Sequence, residues 1–192
     1  MESLDAPVGV LVITWYGDDP RVEAAINRLP AIFKRTGKLF PRLQARRTIV
    51  RLYPVNMGCA FGMNEAVLAS PGAPWWLLVN YDIAFTPFEV LGRIAAAVEK
   101  RLPSASASAS TSPPFALHTF TFEYGAVNPW SNFAITRQAV AELGLFDENF
   151  YPAYWEDADY ALRASKILGD RAILSLKSSD FAVVHGKRGA AV

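Results

Sequence analysis

The chain has 192 residues, 52% hydrophobic and 12% aromatic, enough to bury a sizeable core as a single domain over residues 1–192. Its 19 Lys and Arg side chains against 18 Asp and Glu leave a net charge of +1, which excludes an overall field that recruits nucleic acid or an anionic membrane. A single cysteine, Cys59, excludes an intramolecular disulfide and fits a reducing compartment.

Glu2 and Asp5 stand where a cleavable leader would be basic, and no apolar run is long enough to span a bilayer, so a soluble cytoplasmic protein is expected. Val8 to Thr14, VGVLVIT, is a short apolar run rich in β-branched residues and reads as a strand covered on both faces. Pro20 is placed to open a helix after the turn WYGDDP. The basic cluster Lys34, Arg35, Lys38, Arg42, Arg46, Arg47 and Arg51 reads as a solvated face in preference to a patch for phosphates or lipid head groups. Thr48 to Tyr53 is the second predicted strand, Phe61 to Ala69 a helix, Trp75 to Asn80 the third strand, and Pro87 to Arg101 the next helix.

Ser104 to Pro114, SASASASTSPP, has nothing to bury and is expected to be a mobile loop within the domain. Phe115 to Phe122 and Asn132 to Thr136 read as strands, the latter running into a helix at Arg137 to Leu143. A second helix covers Asp157 to Leu168, followed by strands at Arg171 to Leu176 and Phe181 to Val184, with His185 at the end of the last. Strands alternating with helices predict an α/β fold, a Rossmann-like and mostly parallel sheet flanked by helices. Ligands bind such sheets beyond the carboxyl ends of the strands, where Thr14, Asn56 and Asn80 lie.

The stretch Gly144 to Arg163, GLFDENFYPAYWEDADYALR, crowds carboxylates among aromatic rings. Like charges repel and rings exclude water, so a carboxylate turned inward there acquires the perturbed proton affinity that base chemistry uses. Asp159 stands four residues before Arg163, the spacing of a helical ion pair, and is expected to be structural.

This segment resembles the carboxyl-terminal half of the family 2 glycosyltransferases, with Gly144, Leu145, Phe146, Asp147, Glu148 as the glycine-phenylalanine-aspartate-glutamate run and Glu156, Asp157 as the acid pair opening a helix. NMGCAFGMNEAVLAS (Asn56 to Ser70) is similar to that family's asparagine- and glycine-rich turn into a helix. LLVNYDIAF (Leu77 to Phe85) is similar to its strand ending in an Asp-x-Asp element. The three stand in the family's order. The resemblance implies a glycosyltransferase A type domain that moves a sugar, with inversion, from a nucleotide diphosphate sugar, expected to be a uridine diphosphate sugar, to a hydroxyl of a glycan or glycoconjugate acceptor.

The same resemblance implies the roles. Asp157 is the general base, with Glu156 as its alternative, and the first turn of a helix keeps such a carboxylate ionised. Asp82 matches the metal-binding aspartate and His185 the histidine that completes the site, with Mn²⁺ or Mg²⁺ as the cation. Thr14, Tyr16, Asn56, Gly58, Asn64, Asn80 and Tyr81 are expected to serve the donor, as are Trp130 and Asn132 of the NPWSN stretch, while Trp15 reads as packing. Asn80 stands where the family has its first aspartate, and residues 24–47 contain no aspartate to hold the base; Asp18 or Asp19 is the available substitute. These departures keep open a catalytically inactive carbohydrate- or nucleotide-binding module. A sugar nucleotidyltransferase ranks behind, because it wants a glycine-rich loop with a basic residue where this chain has WYGDDPR. The chain is short for the family, as a domain of a longer polypeptide would be.

Overall fold

The structure is a computed structural model that describes residues 10–17, 19–21, 23–24, 26–28, 47–80, 83–85, 89–102, 117–120, 132–176 and 183–185. The chain packs as two compact units, Met1–Pro71 with Phe146–Glu156, and Gly72–Leu145 with Asp157–Val192.

In the first unit, β1 (Val10–Tyr16) and β2 (Arg47–Tyr53) pair in parallel, from Val10 opposite Arg47 to Tyr16 opposite Tyr53. Parallel pairing needs a long crossover, and residues 17–46 supply it; 20, 21, 23, 24 and 26–28 among them are helical. Helix α1 (Cys59–Ala69) packs on β1 and buries Ala60, Met63, Asn64 and Val67, the spacing of one helical face. Ile26, Ile49 and Phe146 complete this core.

In the second unit a four-stranded sheet has the order β3, β6, β5, β7, with β3 at Trp75–Val79, β5 at Leu117–Phe120, β6 at Asn132–Thr136 and β7 at Ile173–Leu176. β4 (Ile83–Phe85) pairs with β8 (Val183–His185). The helices are α2 (Glu89–Glu99), α3 (Arg137–Leu143) and α4 (Glu156–Leu168), the last followed by a 3₁₀ turn at Asp170–Ala172. Phe133, Ala134 and Ile135 of β6 are fully buried, as are Ile94, Val98, Ala139, Tyr160, Ala164 and Ala172.

The expected mostly parallel sheet needs correcting here. β1 with β2 and β5 with β7 are parallel, but β6 runs antiparallel to both its neighbours and β4 antiparallel to β8. All five residues of β6 are buried, and a strand covered on both faces writes the same apolar run whichever way it points. Sequence therefore reveals such a strand without its direction.

β6 passes directly into α3 because Thr136 caps the helix, its hydroxyl oxygen accepting the Ala139 N–H at 3.2 Å. Arg163 of α4 donates to the carbonyls of Leu143 at 2.7 Å and Leu145 at 3.2 Å, and to Asp159 at 2.8 Å. Its guanidinium also lies over the Tyr160 ring, 4.8 Å from the centroid. The expected Asp159–Arg163 pair is thus part of a clamp on the end of α3. The serine-alanine tract, Ser104 to Pro114, lies outside the described residues, as does the basic cluster from Lys34 to Arg46.

Candidate functional site

The first unit gathers several of the predicted donor residues at one edge. Parallel pairing brings the carboxyl ends of β1 and β2 together, and the chain leaves β2 for α1 through Asn56, Met57 and Gly58. The Oδ1 of Asn56 accepts the Gly58 N–H at 2.9 Å, closing a tight turn. Gly58 holds φ 93, a left-handed conformation that glycine adopts without strain. No side chain caps α1 at this residue. The Pro152 carbonyl does that work, accepting the Cys59 N–H at 2.9 Å.

Tyr16 ties the strand to this turn: its hydroxyl donates to the Gly58 carbonyl at 2.7 Å. Burial raises the Tyr16 phenol to about 12, helped by Cys59, Tyr53, Glu65 and Glu148 around it. Tyr53 donates to Glu65 at 2.8 Å, Arg51 approaches the same carboxylate oxygen at 3.4 Å, and the Tyr53 ring meets Phe61 edge-on at 5.1 Å. The hydrogen bond to Glu65 raises Tyr53 as well.

Beside these strand ends is a groove of about 230 Å³ lined by Trp15, Gly17, Asp19, Glu23, Leu52, Tyr53 and Pro54. Two aromatic rings with Leu52 and Pro54 make up much of its wall, and Asp19 and Glu23 add carboxylates. Arg21 fixes the Asp19 carboxylate with contacts at 2.7 and 3.1 Å, and the Arg21 N–H donates to it at 2.9 Å. Trp15, expected to be packing, is partly buried and is among the residues that line this groove.

Asn64 is 2% exposed and its amide is committed to the returning segment. Nδ2 donates to the Phe146 carbonyl at 3.0 Å and to Glu148 at 2.8 Å, and Oδ1 accepts the Phe146 N–H at 2.9 Å. Its role in this structure is to hold the loop 146–156 on α1. Thr14 turns its methyl group toward α1, 3.7 Å from the position of a Cβ on Gly62. Tyr151, which sequence reasoning did not place at the site, donates to the Asn56 carbonyl at 3.0 Å, and its ring stands 3.2 Å from a Cβ built on Gly58. The glycine that admits the ring was visible in the sequence, but its partner lies far along the chain. Glu156, the last residue of this unit, is 5% exposed, and its Oε2 has no hydrogen-bond partner among the described residues.

In the second unit, Asp157 sits half-buried in the first turn of α4, its Oδ1 accepting the Ala158 N–H at 2.7 Å. Asn80 follows the last residue of β3, and Val79 pairs with Asn132, so two predicted donor residues lie at the same sheet edge. Asn132 is fully buried, and neither polar atom of its amide has a partner among the described residues. His185 pairs with Ile83, the residue after Asp82. Asp82, Tyr81 and Trp130 lie outside the described residues, and among the described residues no group of three His, Cys, Asp or Glu side chains is placed to hold a metal ion.

No family model matches the chain. A stretch of 37 residues is 51% identical to a galactofuranosyl glycosyltransferase of Leishmania donovani; it amounts to 19% of this chain and 8% of that protein. Among solved structures, a glycosyltransferase involved in the glycosylation of the major capsid of PBCV-1 aligns over 95% of this chain and 96% of its own, at 12% identity and a TM-score of 0.48.

Proposed function

We propose that this chain is an inverting glycosyltransferase of the family 2 kind, taking a sugar from a nucleotide diphosphate sugar, with a uridine diphosphate sugar as the first candidate, to a hydroxyl of a glycan or glycoconjugate. The observation that carries the reading is the first unit's sheet edge, where Tyr16, Asn56 and Gly58 are locked together beside an aromatic groove at the carboxyl ends of two parallel strands. The 37-residue stretch that is 51% identical to a galactofuranosyl glycosyltransferase supports it.

In this reading the groove takes the nucleobase, with Asp19 standing in for the aspartate absent from residues 24–47. Asp157 accepts the proton of the acceptor hydroxyl as its oxygen forms a bond to the anomeric carbon. The bond from that carbon to the diphosphate breaks, and the diphosphate departs with the electron pair. Asp157 stands in the first turn of α4, half-buried, which supports the choice of this carboxylate. Asp82 and His185 are the residues that would hold Mn²⁺ or Mg²⁺, and the pairing of His185 with Ile83 supports that choice. Such a cation supplies charge stabilisation for a diphosphate leaving group.

The test is release of nucleoside diphosphate from a panel of sugar nucleotides, each with Mn²⁺ and with chelator. Turnover of one donor above the others is the expected result. Tight nucleotide binding without release from any donor would instead support the inactive binding module.

A further inference from the structure

Three aromatic side chains of the first unit face solvent just ahead of Glu156: Tyr151, Tyr154 and Trp155. Tyr154 is 80% exposed and Trp155 71%. Both hold a left-handed backbone, φ 77 and φ 79, which bulky L side chains avoid. Core packing does not explain this strain, because neither ring is buried. Backbone held in sparsely populated regions clusters at ligand sites. The residue that follows, Glu156, adds a buried carboxylate oxygen with no partner among the described residues.

We infer that Tyr154 and Trp155 form a platform for a sugar ring of the acceptor glycan. The class of occupant follows from chemistry. An aromatic face with a hydroxyl or indole N–H at its rim matches a sugar, which has C–H groups on its face and hydroxyls around its edge. An apolar protein partner would want a continuous apolar surround, but Asp147, Glu148 and Asn149 of the same loop are exposed and polar. Those carboxylates also repel an anionic membrane while accepting hydrogen bonds from sugar hydroxyls. That the sugar is an acceptor, and not a ligand of some other kind, rests on the proposed transferase reading.

The experiment uses the full chain and four probes, methyl β-galactoside, methyl α-mannoside, methyl β-glucoside and lactose, followed by saturation-transfer NMR and by tryptophan fluorescence. At least one probe should bind in the millimolar range. Trp155→Ala should weaken that probe tenfold or more, while Trp155→Phe, which keeps a ring face, stays within about threefold. Trp155→Gly is the sharper variant: glycine relieves the left-handed backbone, so its melting temperature should equal or exceed that of the parent while sugar binding falls as for alanine. Equal binding by parent and Trp155→Ala, or no binding of any probe by the parent, overturns the platform. So does a melting temperature several degrees lower in both Trp155→Ala and Trp155→Gly, which would show that the ring packs on the fold. If the platform holds but no sugar nucleotide is turned over, the transferase reading fails and a sugar-binding surface stands without it.

Discussion

Tyr16 and Gly62 are fitted to one another: the Tyr16 hydroxyl oxygen stands 2.9 Å from the position a Cβ on Gly62 would occupy, close enough to force movement. The same hydroxyl donates to the Gly58 carbonyl, which also accepts the Gly62 N–H at 3.3 Å. Gly to Ala inside a helix ordinarily stabilises by about 0.5–1 kcal/mol. Here Gly62→Ala should instead destabilise by about 1 kcal/mol, because the added methyl displaces the hydroxyl from its bond to Gly58. In a Tyr16→Phe background the oxygen is gone and the same substitution should become neutral or favourable. Urea unfolding of the four variants of this cycle reads the sign directly. The same penalty in both backgrounds would mean that the helix, not Tyr16, dictates glycine.

Asn64 offers a second measurement. Asn64→Ala removes three hydrogen bonds and leaves the Phe146 N–H and carbonyl buried without their partner, a cost of about 2–4 kcal/mol. Asn64→Asp keeps the size but loses both donors and faces Glu148 with a like charge, so it should be no milder. Because the loop 146–156 carries Tyr151 and the Pro152 carbonyl that caps α1, both variants should also raise proteolytic cutting within that loop. Stability within about 0.5 kcal/mol of the parent would show that the loop is held elsewhere.

Much of the chain was legible because its signals are local. Asn132–Thr136 and Arg137–Leu143 match their predicted bounds, since an apolar run ends on a threonine that can cap the helix following it. Most other bounds moved by one or two residues, as at α1, which starts at Cys59 because a carbonyl from Pro152 replaces the missing side-chain cap. β4 was not legible: three residues give no period to detect. Asn56, Gly58 and Tyr16 are singled out by residue type and by their places after strands, and the structure brings them together at one turn. The hold of Asn64 on the returning segment was not legible, because its partners lie 82 and 84 positions away. That Trp15 and Tyr53 line one groove was hidden, since strand pairing brings them to the same edge, whereas Asp19 is visible in the sequence as a substitute for the missing aspartate.

The Tyr160 phenol gives a pH test. Burial raises it to about 12, and its hydroxyl donates to the Gly144 carbonyl at 3.1 Å. In the unfolded chain the phenol ionises near pH 10, so the folded state favours the neutral form. Its contribution is complete below pH 10 and falls as pH rises toward 12, by about 1.4 kcal/mol per unit across that window. Denaturant midpoints measured from pH 8 to 12 should fall steeply above 10, and Tyr160→Phe should flatten part of that fall. Tyr16, also raised to about 12, accounts for a further part.

The proposed cation is tested through binding. Asp82→Ala should abolish the Mn²⁺ dependence of nucleoside diphosphate binding measured by calorimetry, while the melting temperature stays near that of the parent. His185→Ala should weaken the same dependence without removing it. Diphosphate binding that is equally tight with chelator and in the Asp82 variant removes the metal from the proposal.

In the proposed reaction Asp157 acts on the chemical step and not on binding. A general base contributes on the order of a hundred- to ten-thousand-fold in rate, whereas a residue that only holds substrate alters affinity. Asp157→Asn retains an oxygen for the Ala158 N–H but cannot take a proton, so kcat should fall by at least a hundredfold while donor Kd stays within a fewfold. Glu156→Gln should be milder in rate. Asp159→Asn should act on stability alone, through its contact with Arg163, by about 0.5 kcal/mol. If Glu156→Gln collapses turnover and Asp157→Asn does not, the buried Glu156 carboxylate is the base, and the roles of the pair are exchanged. If neither changes kcat, the loop that gathers these acids is not where the proton is taken.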